Sequence, residues 1–187
     1  MGNPWSNWNL LLLKRAKYMD LGIHNKVALV TGSNRGTGQM IAERLAAEGV
    51  RVIFHSLGEG DSMAAAQQVK NASAVWGDIS NSQGAAQVIQ AVSELTDVVD
   101  ILVNNYGTAD PGRWQTATTD DWLSAYQKNT LSIVRLVQAF TPGMIKAGWG
   151  RVVNLGTVGS TRPNKTSPQY YAAKVRSLIS PSVLLKN

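Results

Sequence analysis

Cysteine is absent from the 187 residues, which excludes a disulfide framework, a thiolate-bound metal and a cysteine nucleophile. Histidine is almost as scarce. His24 and His55 are the whole supply, far apart and with no surrounding cluster of acids, so a metal centre is not expected. Long apolar runs are missing near the start, where "LLLL" at 10–13 is too short for a bilayer span or the core of a secretory leader. Its charges also follow it instead of preceding it. Basic stripes interleaved with aromatics, as a nucleic acid would require, are lacking too. These absences predict a cytoplasmic chain with neither membrane nor nucleic acid as partner. Acidic residues are the minority, 12 against 18 Lys and Arg, for a net charge of +6. Lys14, Arg15 and Lys17 fall without any acid in the first 18 residues. The remainder is mildly basic, as suits a protein with one anionic ligand.

What is present has the balance of a globular domain: 44% hydrophobic and 16% charged. Residues 1–18 read as a loose extension, and 19–187 as one domain beginning at "MDLGIHNKVALVTG". Continuous apolar runs predict strands over 26–31, 51–56, 74–79, 100–105 and 150–157. Helical patterns fall between them, over 39–49, 61–71, 81–95 and 118–140, with a last helix opening near Ser167 and Pro168. Strands alternating with helices predict an α/β fold: a doubly wound, mostly parallel sheet of the Rossmann kind with five recognisable strands. Ligands of such sheets sit at the carboxyl ends of the strands.

The chemistry-bearing residues gather at those ends. "TGSNRGTG" (31–38) joins the first strand to the first helix. Gly32, Gly36 and Gly38 allow a tight turn and close backbone approach, and the helix start offers free N–H groups to a phosphate. Tyr170 and Lys174 stand four residues apart and share a helix face. Taken alone, that pair reads as an ordinary surface pair with no role.

As a set, the motifs resemble the short-chain dehydrogenase/reductase family. "TGSNRGTG" resembles its TGxxxGxG loop, "NNYG" (104–107) its NNAG, and "YYAAK" (170–174) its YxxxK, in the family's order from about Met19 to Lys174. The nearest branch includes the 3-oxoacyl-carrier-protein reductases. The resemblance implies carbonyl–alcohol interconversion by hydride transfer from a nicotinamide dinucleotide. Tyr170 is the general acid/base, Lys174 the cation that lowers its pKa and bonds the ribose, and Thr157 the hydroxyl on the substrate oxygen. Asn129 matches the asparagine whose backbone holds a relay water. Tyr171, three residues from Lys174, is the rival phenol, and Ser160 lies three residues too late for the hydroxyl role. Cofactor contacts are implied for Gly32, Asn34, Arg35, Gly36, Thr37, Gly38, Ser56, Asp78, Ile79, Asn105 and Gly107, with Tyr170 and Lys174. Asp78 reads alternatively as a helix cap. Asn104 is expected to brace neighbouring strands. Tyr106 departs from the family's alanine.

Ser56 stands where an NAD-selective acid would, and Arg35 lies in the loop, so NADP(H) is favoured while NAD(H) use stays open. The partner is a small-molecule carbonyl or alcohol. A complete member of the family is expected to form a homo-oligomer. After Lys174 the sequence "VRSLISPSVLLKN" leaves the family pattern, and Pro181 is expected to stop the helix by about Ile179. The chain therefore reads as C-terminally truncated, with the family's last strands missing and an exposed sheet edge prone to association or aggregation. The alternative to an oxidoreductase is a non-catalytic remnant that at most binds nucleotide.

Overall fold

The computed structural model describes residues 20–162 and 164–176. The extension at 1–18 and the segment with Ile179 and Pro181 lie outside the described residues. Five strands, β1 (Val27–Val30), β2 (Arg51–Ser56), β3 (Ser73–Trp76), β4 (Ile101–Asn104) and β5 (Arg151–Asn154), pair in the order β3-β2-β1-β4-β5. Every pairing is parallel. Helices α1 (Gly36–Ala47), α2 (Glu59–Ala66), α3 (Ser82–Leu95), α4 (Thr119–Tyr126) and α5 (Ser132–Lys146) supply the crossovers, and α6 (Pro168–Arg176) follows β5.

The apolar strands have a simple cause. Successive side chains point to opposite faces, and for β1, β2 and β4 both faces are covered, whereas β5, at the sheet edge as expected, leaves Val153 47% exposed. Val27 and Leu29 pack with Val88 and Val92 of α3 and with Leu136 and Met144 of α5. Ala28 and Val30 pack with Ala42 of α1 and with Ala65 and Ala66 of α2. Burying each large aliphatic side chain contributes about 1.5–3 kcal/mol. The sheet is therefore held from two sides, and its carboxyl edge is left to the loops.

Several boundaries differ from expectation, among them the fifth strand, which ends at Asn154, and the second helix, which ends at Ala66. The third strand stops at Trp76 because Gly77, at φ +153°, turns the chain out of the sheet. Asp78 then closes that turn by accepting from Ser80 N (2.9 Å) and Asn81 Nδ2 (3.0 Å). The helix cap is Asn81, which accepts from Gly84 N at 2.8 Å. Helix α1 opens three residues early, at Gly36. The long helix expected over 118–140 is two helices joined by a π-helical turn at Gln127–Leu131. Thr118 and Asp121 form a reciprocal capping box at its start.

Candidate active site

A cleft of about 430 Å³ opens at the carboxyl ends of β1, β2 and β4. Its floor is the glycine loop. Gly32 takes φ +60°, and a Cβ there would stand 3.2 Å from the Tyr106 Cα. Gly38 sits against the Gly32 carbonyl so closely that any side chain would collide with it. Together they let α1 start hard against β1 and face the cleft. Arg35 is the N-cap residue, in extended geometry and with no side-chain cap bond, so the first-turn amides of α1 carry no side-chain partner at the cap. The opposite wall is tied to this loop. Thr31 Oγ1 accepts from Asn105 N (3.0 Å) and Tyr106 N (2.9 Å), and Asn105 Nδ2 donates to the carbonyls of Thr31 (2.9 Å) and Gly32 (3.0 Å).

The end of β2 holds the loop from its other side. Ser33 Oγ donates to Val30 O at 2.7 Å and accepts from His55 N at 2.9 Å. The buried His55 ring contacts Gly32 N and Gly77 O at 3.1 and 3.0 Å. Burial pushes its pKa down to about 4, against smaller raising contributions from the Gly77 carbonyl and the Asp78 carboxylate. Ser56 lines the cleft, but its hydroxyl donates to Gly58 O and accepts from Ser62 N. Asp61, in the first turn of α2, lines the cleft beside Arg35. The sequence pattern missed Asp61, because its place depends on how α2 docks and no motif marks it. Tyr106 also lines the cleft, and burial, followed by the Asp78 and Asp110 charges, raises its phenol to about 12.

The second half of the site comes from the π-turn and α6. Asn129 is wholly buried, and its amide brackets Thr108: Oδ1 accepts from Thr108 N (3.1 Å) while Nδ2 donates to Thr108 O (3.0 Å). On either side, Lys128 pairs with Asp110 at 2.7 Å and Thr130 Oγ1 donates to Ala173 O at 2.8 Å. Three successive residues thus fasten the cleft wall and α6. Lys174, 3% exposed, donates to Leu155 O at 3.1 Å, and burial pushes its pKa below the ordinary lysine value. A Cβ at Gly107 would meet Asn129 Oδ1 and lie 3.1 Å from Lys174 Nζ, so the cleft wall, the π-turn and α6 converge there.

Of the sequence-predicted residues, Gly32, Asn34, Arg35, Gly36, Thr37, Gly38, Ser56, Asn105 and Gly107 all line the one cleft. Asp78 is exposed at the β3 end. Ile79 is 1% exposed and packs into the α3–α5 core. Thr157 follows β5 and accepts from Gly159 N at 3.3 Å. Tyr170 is half-buried, its ring 5.3 Å from that of Tyr171. Tyr171 packs on Gly159 and lines a separate groove of about 900 Å³ with Trp114 and Val175. Asn104 braces the strands as expected, its Nδ2 donating to Asn154 Oδ1 at 2.8 Å. Among the described residues no group of His, Cys, Asp and Glu could hold a metal ion, and no helix is long and apolar enough to cross a membrane.

A parallel sheet in this order, with a glycine turn delivering an open helix start to its carboxyl edge, is the doubly wound arrangement of the dinucleotide-binding folds. Within that class the chain belongs to the short chain dehydrogenase family, whose model matches residues 26–178. It is 34% identical over 155 residues to the 3-oxoacyl-[acyl-carrier-protein] reductase of Vibrio cholerae, covering 82% of this chain and 64% of that protein. Among solved structures it is similar to L-sorbose reductase from Gluconobacter frateurii complexed with NADPH and L-sorbose. That match has a TM-score of 0.84 and 29% identity, over 89% of this chain and 65% of that one. It is also similar to a 3-oxoacyl (acyl-carrier-protein) reductase from Agrobacterium tumefaciens with NADP bound, at TM-score 0.80 and 31% identity, over 87% and 65%. The chain spans less than two thirds of the length of each of these relatives.

Proposed function

We propose that the protein is an NADP(H)-dependent oxidoreductase that interconverts a carbonyl and an alcohol. The observation that carries this reading is the junction of two halves at one cleft. The open start of α1 faces one end, and the buried Lys174 meets Gly107 at the other. The residues present fit a dinucleotide. The backbone of 32–38 would take its pyrophosphate, Arg35 the 2′-phosphate and Lys174 the nicotinamide ribose. When bound, the nicotinamide supplies or accepts the hydride.

The chain's own part is proton movement and orientation. Tyr170 gives its phenolic proton to the carbonyl oxygen as that oxygen gains charge, and takes it back in the reverse direction. Thr157 donates a hydrogen bond to the same oxygen. Lys174 favours the phenolate by its charge, and its own lowered pKa makes its proton easier to exchange. Asn129 acts by fixing Thr108 and hence the Gly107 wall. Tyr170 is preferred over Tyr171 because the latter is committed to Gly159 and the outer groove.

The substrate is a small carbonyl compound, with 3-oxoacyl esters and keto sugars as first choices given the named relatives. The test is loss of NADPH absorbance with those compounds, ketones and aldehydes. Tyr170→Phe is expected to lower kcat by roughly 10²–10⁴-fold and leave NADPH binding within a few-fold. A Tyr170→Phe variant with full turnover would refute the assignment. NADPH binding without turnover of any substrate would leave only a nucleotide-binding role.

A further inference from the structure

We propose that His55 is a positioning residue of the dinucleotide turn, its imidazole held as the Nε2–H tautomer so that bare Nδ1 fixes the Gly32 amide in the shape that receives a phosphate. This rests on the dinucleotide reading above and adds a residue that no motif marks. The tautomer follows from the partners alone. A backbone N–H only donates, so Nδ1, 3.1 Å from Gly32 N, carries no proton. A carbonyl only accepts, so Nε2, 3.0 Å from Gly77 O, carries one. The ring is 0% exposed, so no water substitutes for either partner.

The ring ties two turns. Gly32 opens the phosphate loop after β1, and Gly77 ends β3. The His55 backbone adds to the grip, accepting from Ser33 N at 2.9 Å and donating to Ser33 Oγ at 2.9 Å. Gly32 and Ser33 are therefore held in register with β2 at three points. The edge-on Tyr106 ring, 6.3 Å away, closes the remaining side. A second proton on the ring would set N–H against N–H at Gly32 and break the grip. Asp78 is the charged neighbour that favours that proton, and its field is outweighed by burial. The Tyr106 phenol, raised to about 12, stays neutral. Across neutral pH the turn is thus kept in one shape.

Two measurements on the full chain test this. In ¹⁵N-histidine-labelled protein, two-bond proton–nitrogen correlations should give His55 a bare Nδ1 and a protonated Nε2 from pH 8 to 5.5, the signals being assigned by their loss in His55→Asn. An Nδ1–H pattern, or a titration midpoint near 6.5, overturns the proposal. Separately, NADPH affinity is compared in two variants of similar size. His55→Asn keeps an acceptor near the Nδ1 position and should bind within about threefold of wild type. His55→Gln reaches toward Gly77 but offers Gly32 no acceptor, and should bind about tenfold more weakly. Equal affinities in the two variants, or the reverse order, sink the positioning role while leaving the cofactor reading intact. Wild-type protein that binds no NADPH sinks both.

Discussion

Ser56 ends β2 with its hydroxyl already engaged, donating to Gly58 O and accepting from Ser62 N at 3.0 Å. A ribose phosphate arriving there meets a small side chain and no free donor, so cofactor choice falls on the charges nearby. Arg35 and Asp61 line the same cleft with opposite signs. Arg35→Glu is expected to weaken NADPH at least ~10-fold relative to NADH, through loss of a charge-assisted bond and gain of repulsion. Asp61→Asn acts the other way, by roughly two- to fivefold at low salt and less at high salt, since both side chains are exposed. Fluorescence titration with both nucleotides reads the ratio, and a ratio indifferent to both changes would remove these residues from the discrimination. His55 makes a different prediction, about stability. The folded ring binds its proton less tightly than the unfolded one, at about 4 against 6.5. Its contribution is intact above pH 6.5 and is lost as the pH falls toward 4, by roughly 3 kcal/mol in all. Urea unfolding from pH 7 to 4 should therefore show a steeper acid loss in wild type than in His55→Asn. Parallel curves would contradict that.

The π-turn between α4 and α5 directs Lys128, Asn129 and Thr130 onto Asp110, Thr108 and Ala173. A regular helix would swing each successive side chain by a larger share of a turn away from the last, whereas the extra residue per turn here gathers them. Asn129→Ala leaves both Thr108 backbone groups without these partners and should cost about 2–3 kcal/mol, lowering Tm by roughly 5–10 °C. Thr130→Val, which removes the single bond to Ala173 O, should cost about 1 kcal/mol. Calorimetry of the two variants checks the order, and a milder effect at 129 than at 130 would contradict the bracket. The π-turn was not legible in the sequence. "AYQKNTLS" keeps its helical pattern straight through, and nothing local marks the inserted residue. Nor was the reach of α5 to Lys146 legible, since Pro142 argues for a stop. Thr141 Oγ1 donates to Val137 O at 2.7 Å, and Met144, 1% exposed, anchors the last turn where a Cβ at Gly150 would crowd it. Burial beyond the proline offsets much of its penalty. Helix α1, by contrast, was read too short because Gly36 and Gly38 weaken the pattern in the very turn the cleft requires.

For the whole molecule, the sheet was legible because its central strands β1, β2 and β4 are buried on both faces and appear as plain apolar runs. The phosphate half of the cleft was legible because one contiguous loop builds it. The other half was legible only as isolated residues: Asn129 and Lys174 come from two elements that meet at Gly107, and sequence spacing does not say which residues will meet. One consequence is testable at this scale. NADPH at 100 times its Kd should stabilise the fold by about 2.7 kcal/mol, raising Tm by roughly 5–10 °C. Absence of any shift at millimolar NADPH would deny the cleft its ligand. A second consequence concerns time. Helix α6 is latched to elements far earlier in the chain, through Thr130 to Ala173 and through Lys174 to Leu155. During translation the phosphate cradle at 31–38 leaves the ribosome more than a hundred residues before those latches exist. On the proposed function, a nascent chain should thus gain a grip on nucleotide before Tyr170 is in place as its proton donor, ordering its maturation from anchorage to reactivity.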